Sequence, residues 1–394
     1  MTGAQRLHET FLGAGVEVCF TNPGTSEMHF VAALDTEPGM RAVLGLFEGV
    51  VTGAADGYAR MTGKPACTLL HLGPGLANGL ANLHNARRAQ TPIVNVVGEH
   101  ATYHRALDAP LTSNIEGFAD PVSAWIRVSE NAASVGTDAA EAVQAALSPP
   151  GQIATLILPA DTAWNEAPGS AAALPPHGLE PTNADAVEGA IKALVSGERC
   201  TFLLNGLGVS ERGLQLISRI AQKTGARVMG DTFIARVPRG AGRFNIGRLP
   251  YFAEQAEEAL AGTEHLILVD TKAPVSFFAY PGRASELTPE GCEVHTLSAP
   301  DQDARGALEA VVEACGATGL AAELANLDRP ALPTGELNPA SIAQALSALM
   351  PEQSILVNEA ATSGFALPGM TSNGPQHDWL DLTGGAIGMG LPAA

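Results

Sequence analysis

The chain has 394 residues, 46% of them hydrophobic, so it holds two or three domains with a large core, and disorder is excluded. Its 41 acidic residues against 22 basic ones leave a formal charge of −19, which excludes nucleic acid and anionic membranes as partners. No apolar run reaches the roughly 18 residues of a spanning helix. The first twelve residues do not read as a secretory leader, and five widely spaced cysteines read as free thiols of a cytoplasmic protein.

In chain order, strand-like runs at 16–20, 66–70, 93–97, 155–158, 202–204, 266–269, 294–297 and 355–357 alternate with helical stretches. The stretches are 48–61, 76–89, 139–147, 184–195, 211–224 and 339–349. Several runs are apolar throughout, the pattern of strands covered on both faces of a parallel sheet. The alternation predicts doubly wound α/β layers. Two stretches, 165–182 and 319–337, are rich in Ala, Pro and Gly without periodicity and read as linkers. They divide the chain into 1–165, 183–320 and 336–394, three doubly wound parallel-sheet domains. The last is expected to be truncated, because a helix is only starting as the chain reaches Ala394.

Five motifs carry candidate chemistry. Asn22-Pro23-Gly24-Thr25 follows the first run as a tight turn, and Thr25 or Ser26 can cap the helix after it. The turn also stands at a strand's C-terminal end, where open α/β sheets bind ligands. Glu48 opens the next helix among Leu44, Leu46, Phe47, Val50 and Val51, either solvated and favoured by the helix dipole or desolvated with a raised pKa. Gly49, Gly53, Ala54, Ala55 and Gly57 give that helix a small-residue face open to another backbone. His71 leaves the 66–70 run before a Gly73-Pro74-Gly75 turn, as a hydrogen-bonded core histidine or as a group facing a ligand. Asn205-Gly206-Leu207-Gly208 imitates part of a dinucleotide fingerprint without its third glycine; it reads as a structural turn, with a nucleotide-dependent oxidoreductase as the alternative. Gly384, Gly385, Gly388 and Gly390 crowd around Ile387, a density of glycine that lets backbone groups touch a ligand.

Together, Asn22-Pro23-Gly24-Thr25, Glu48 with Ala54-Ala55-Asp56-Gly57-Tyr58-Ala59 behind it, His71, and Gly384-Gly385-Ala386-Ile387-Gly388-Met389-Gly390 resemble a known group. They look like the thiamine-diphosphate enzymes of the acetolactate synthase, benzoylformate decarboxylase and pyruvate oxidase group, over the whole chain. The resemblance implies a pyrimidine-binding domain at 1–165, a middle Rossmann-like domain at 183–320 and the start of a diphosphate-binding domain at 336–394. It implies that Glu48 contacts the pyrimidine nitrogen, that Gly385 offers its carbonyl to the amino group, and that Ile387 props the cofactor in a bent shape. Pro23 and Gly24 would line the cofactor, with Thr25 and His71 facing substrate.

The activity implied is cleavage or ligation of a C–C bond next to a 2-oxo acid carbonyl, using thiamine diphosphate and Mg²⁺. An acetolactate synthase-like transferase and a decarboxylating lyase both fit, in a homodimer or a homotetramer built as a dimer of dimers. The family's Gly-Asp-Gly metal motif has no counterpart before Ala394, so the magnesium ligands are expected beyond the chain end and none is assigned here. The stretch 273–282 resembles the one that carries a second histidine in benzoylformate decarboxylases, yet it holds none. The flavin-contacting Arg-Phe-Asp-Asp type of segment is absent too, which argues against FAD. The alternative is a catalytically inactive relative serving as a binding or assembly module.

Overall fold

The uniformly apolar runs become parallel strands in a computed structural model that describes residues 1–36 and 38–394. Two units emerge, Met1–Gly178 with Leu382–Ala394, and Leu179–Asp381. In the first, β1 (Val18–Asn22), β2 (Arg41–Leu44), β3 (Ala66–Leu70), β4 (Ile93–Glu99), β5 (Trp125–Val128) and β6 (Ile153–Pro159) form one sheet. Their order is β2-β1-β3-β4-β6-β5, and every neighbouring pair is parallel. β3, β4 and β6 are buried at every residue, which is why their sequences do not alternate.

The helices of this unit are α1 (Gly3–Gly13), α2 (Met28–Thr36), α3 (Glu48–Thr62), α4 (Leu72–Arg88), α5 (Ile115–Ala119), α6 (Val135–Leu147) and α7 (Ala160–Trp164). Alternate strand residues face the two layers. Leu69, Val96 and Leu156 pack with Leu7, Phe11, Phe30 and Val143 from α1, α2 and α6. Leu70, Val97 and Ile157 pack with Val51, Leu76 and Ile115 from α3, α4 and α5. Between them a buried polar ladder crosses three strands: the Thr68 hydroxyl donates to Asn95 (2.8 Å), whose amide donates to Thr155 (3.1 Å). These residues are register partners, and a slip of one residue would leave each unsatisfied, so the ladder pins the pairing.

The second unit holds β7 (Cys200–Leu204), β8 (Arg227–Gly230), β9 (Val237–Arg239), β10 (Gly247–Arg248), β11 (His265–Val269), β12 (Glu293–Ser298), β13 (Ser354–Asn358) and β14 (His377–Asp381). Five of them build a parallel sheet in the order β10-β8-β7-β11-β12. β13 and β14 pair in parallel, and β9 joins β14 antiparallel. The helices here are α8 (Ala184–Val195), α9 (Glu211–Thr224), α10 (Ala253–Leu260), α11 (Ala304–Ala314), α12 (Pro339–Leu349) and α13 (Leu367–Thr371); α14 (Gly390–Ala393) belongs to the first unit. The architecture is therefore mixed α/β with several parallel sheets, as the alternation predicts. No helix among the described residues is long and apolar enough to cross a membrane.

One local feature differs from the sequence reading. Gly73-Pro74-Gly75 is the first turn of α4, not a turn before it, because proline is tolerated where helix N–H groups have no partner anyway. The chain enters that helix through Leu72 at φ 49°, a left-handed conformation that costs an L-residue energy and makes a sharp elbow out of β3. In the second unit, the Leu207 amide of the glycine turn donates to Asp270 (2.7 Å), whose Oδ2 would lie 2.8 Å from a Cβ on Gly206. The amide that would greet a phosphate is thus taken by the chain's own carboxylate. Burial pushes that carboxyl up to about 6.

Candidate active site

The strand order of the first sheet reverses between β1 and β3, with Asn22 paired to Leu70. In open α/β sheets the crevice outside the strands' carboxyl ends at such a switch point is where ligands bind. Pro23, Gly24 and Thr25 follow β1, Glu48 follows β2, and His71 follows β3, so all five stand at that edge.

Glu48 is the first residue of α3 and is only 8% exposed. Its Oε2 accepts from the Asn78 amide of α4 (3.0 Å), and its Oε1 lies 3.2 Å from where a Cβ on Gly75 would be. The same virtual Cβ would lie 3.4 Å from the His71 Cβ, so Gly75 separates Glu48 from His71 by little more than its own backbone. α3 and α4 are held together behind this edge. The Thr52 hydroxyl bridges to the carbonyls of Glu48 (3.0 Å) and Gly79 (3.1 Å), and Asn82 donates to the Gly49 carbonyl (2.7 Å).

His71 does not stand alone. Its Nδ1 lies 2.8 Å from Oε2 of Glu27, a buried residue of the short turn 25–27. The same oxygen accepts from the Gly24 N–H (2.8 Å). A Cβ on Gly24 would strike the His71 ring, and one on Gly98 would strike Glu27 Oε1, so both glycines make room for the pair. Burial pushes the Glu27 carboxyl above its usual range, while the Gly24 amide and His71 pull the other way. Thr25 is exposed, and Pro23 and Gly24 are half-buried.

Gly385 and Ile387 are exposed and lie elsewhere in the same unit. Their segment is tied to the far end of α4: Asn85 donates to the Ala386 carbonyl (2.8 Å) and accepts from its N–H (3.1 Å), and the Gly384 carbonyl lies 3.1 Å from His84 Nε2. Asn85 comes seven residues after Asn78 along the helix, about 10 Å at 1.5 Å per residue. Within one chain, then, the structure brings Glu48, His71 and the 23–25 turn together and leaves Gly385 and Ile387 apart from them. The small-residue face of α3 is used by the chain itself: a Cβ on Gly53 would meet Pro392, and one on Gly57 the Ala393 carbonyl. The stretch 273–282 sits in the second unit, where Phe277 packs against Tyr251 (4.8 Å) and Phe233 (5.8 Å).

Sequence reasoning missed Glu27 and the clamp by Asn78. Glu27 stands three residues after Gly24, a capping-box spacing visible in the sequence. Its burial depends on Gly98, which no local pattern ties to it.

A doubly wound unit with a buried carboxylate and a histidine–carboxylate pair at its switch point is built as a ligand-binding crevice of an enzyme. Comparison with known proteins agrees. The family described as "Thiamine pyrophosphate enzyme, N-terminal TPP binding domain" matches residues 1–120. A Mycobacterium tuberculosis protein, provisionally named as the acetolactate synthase large subunit IlvX, is 53% identical over the whole chain, which covers 76% of it. A benzoylformate decarboxylase of Pseudomonas aeruginosa is 27% identical over 96% of the chain and 75% of its own length. Among solved structures, a Rhodococcus jostii thiamine diphosphate-dependent 4-hydroxybenzoylformate decarboxylase superposes on the whole chain and 78% of its own with a TM-score of 0.85 at 22% identity, a likeness of fold. The chain belongs to the thiamine pyrophosphate enzyme family.

Proposed function

We propose that this enzyme uses thiamine diphosphate to break or form a C–C bond next to the carbonyl of a 2-oxo acid. The observation that carries the reading is Glu48: a buried carboxylate at the β1/β3 switch-point edge, clamped by Asn78 and packed beside Gly75. Such a group suits a ring nitrogen that needs a hydrogen-bond partner able to exchange a proton. When bound, the cofactor supplies a carbanion nucleophile and an electron sink for the carbonyl carbon.

The chain's own residues then have separable tasks. Glu48 holds and moves a proton at the pyrimidine nitrogen, and Asn78 fixes its orientation. Pro23 and Gly24 bring backbone against the cofactor. Glu27 accepts from His71 Nδ1, which leaves Nε2 to give or take a proton at the substrate, beside the exposed Thr25. Gly385 and Ile387 serve the cofactor from a second subunit, since their own chain keeps them away from Glu48.

Exposed apolar groups support this sharing. Leu46 (90% exposed) and Phe47 flank Glu48, while Ile387 (74%) and Leu391 (93%) mark the other segment. Apolar groups this exposed beside a site suit burial in a homodimer or dimer of dimers. Magnesium would accompany the diphosphate, as the family resemblance implies, and the free cysteines suit a reducing cytoplasm.

The test, run with Mg²⁺ on a chain that carries the family's Gly-Asp-Gly motif, is a panel of 2-oxo acids, including pyruvate and benzoylformate, scored for CO₂ and acyloin with and without thiamine diphosphate. Cofactor-dependent product is expected, falling ~10²–10⁴-fold in Glu48→Gln. No product from any substrate, or an undiminished Gln variant, overturns the reading and leaves a binding module.

A further inference from the structure

The second unit carries a cluster of metal-ligating side chains that the thiamine site does not use. His265 is the first residue of β11 and Glu293 the first of β12, and the two are register partners. His295 follows two residues after Glu293 and so projects from the same face of β12. Three donors converge here. His265 Nδ1 lies 3.0 Å from His295 Nε2, one Glu293 oxygen lies 3.7 Å from His265 Nδ1, and the other lies 3.9 Å from His295 Nε2. Ligands held about 2.05 Å from a tetrahedral ion stand about 3.3 Å from one another, and one ligand atom from each of the three residues lies within 4.8 Å of the others, near that spacing.

A fourth residue sets the chemistry. Glu198, in the turn before β7, places Oε2 2.6 Å from His265 Nε2. A carboxylate there accepts a hydrogen bond from Nε2–H, which keeps the proton on Nε2 and leaves Nδ1 as a bare lone pair facing the triangle. This is the carboxylate–histidine arrangement that orients imidazole ligands in metalloproteins. The histidines are largely shielded and the two glutamates are open to solvent, so an ion has a path in and room for a water as fourth ligand.

We propose that His265, His295 and Glu293 form a binding site for a divalent transition metal of the zinc type, with Glu198 holding His265 in place. Two imidazoles and one carboxylate with an open position are a zinc-type donor set rather than one for magnesium or calcium. The site lies at the amino ends of the strands, across the second sheet from the Asn205–Asp270 turn at their carboxyl ends. It joins β11 to β12, the edge strand, and so acts as a clip on the edge of the sheet. The proposal stands independently of the thiamine chemistry.

The experiment is titration of the chelator-treated, full 394-residue chain with Co²⁺, read by its visible absorption, followed by competition with Zn²⁺. One saturable Co²⁺ per chain, displaced by Zn²⁺, is expected. His295→Asn should weaken binding about 100-fold and Glu198→Gln ~10–100-fold, although Glu198 does not touch the ion. Should His295→Asn fail to fold, Glu293→Gln, whose side chain is exposed, carries the same test. His100 and His104 form a separate ring pair, and their joint replacement by Asn should leave the titration unchanged. No saturable binding, binding unaltered in the His295 and Glu293 variants, or binding lost only with His100 and His104 overturns the proposal.

Discussion

Acid should loosen the first unit through one residue, His8. Its imidazole is fully buried in α1 against the Phe30 ring (4.2 Å), and burial pushes it down to about 4. In the unfolded chain it titrates near 6.5. The unfolded state therefore binds the proton first, and stability is lost as pH falls below about 6.5 toward 4. Between pH 7 and pH 5 the loss is about 2 kcal/mol by linkage. Asp270 works the other way: its carboxyl, raised to about 6 by burial, adds about 1 kcal/mol over the same interval. It lies in the second unit, so the two effects are separable.

The perturbation is His8→Leu, which removes the titrating group and keeps an apolar side chain of similar volume. Urea unfolding is followed by fluorescence in a Trp379→Phe background, where the remaining Trp125 and Trp164 both report on the first unit. Whatever the Leu variant's stability at pH 7, its difference from the parent should shift by about 2 kcal/mol in its favour at pH 5. Parallel pH dependences in parent and variant would refute the burial argument.

Three further outcomes follow from the geometry. His71→Ala should lower turnover of a 2-oxo acid ~10²–10⁴-fold with cofactor affinity kept; a normal rate makes it a core histidine. Glu27→Gln keeps the bond from Gly24 but exchanges a charged acceptor for a neutral one, a difference of about 1 kcal/mol. Turnover should fall about fivefold with an altered pH profile, and an unaltered profile would reduce Glu27 to a cap. Asp56 and Arg60 form a fully buried pair at 2.5 Å that Thr91 also supports (2.7 Å), so Arg60→Met should cost about 3–5 kcal/mol in urea unfolding by stranding Asp56. Asp56→Leu with Arg60→Met should recover most of that loss; a single variant within about 1 kcal/mol of the parent would sink the argument.

The apolar runs of the first sheet were legible because burial on both faces leaves no place for polar residues, and β3 and β4 appear as read. Glu48 was legible too, since a carboxylate among Leu46, Phe47 and Val51 is conspicuous in any sequence. What stayed hidden depends on distant partners. Glu27 looks like an ordinary turn residue until Gly98 is seen to admit its carboxylate. The pairing of β9 with β14 joins segments that have no local signal in common. Gly73-Pro74-Gly75 carries every mark of a turn, yet the α4 ladder starts at Leu72, because the first helical residues donate to no helical carbonyl. Asn78, Asn82 and Asn85 read as polar positions of a small-residue helix, and only the packed structure shows that one row of amides serves Glu48, the Gly49 carbonyl and Ala386 in turn.

The docking of Pro392 and Ala393 onto Gly53 and Gly57 bears on how the molecule is made. Arg60 meets Met389 across a sequence separation of 329 residues, so the first unit closes only with material translated after the whole of Leu179–Asp381. On the ribosome, the strip of glycines along α3 emerges early and waits bare while the second unit is synthesised. Contacts this remote in sequence form late and slowly. The nascent first unit is thus a waiting, adhesive intermediate until Leu382–Ala394 arrives, and closure of its helical layer follows synthesis of the second unit.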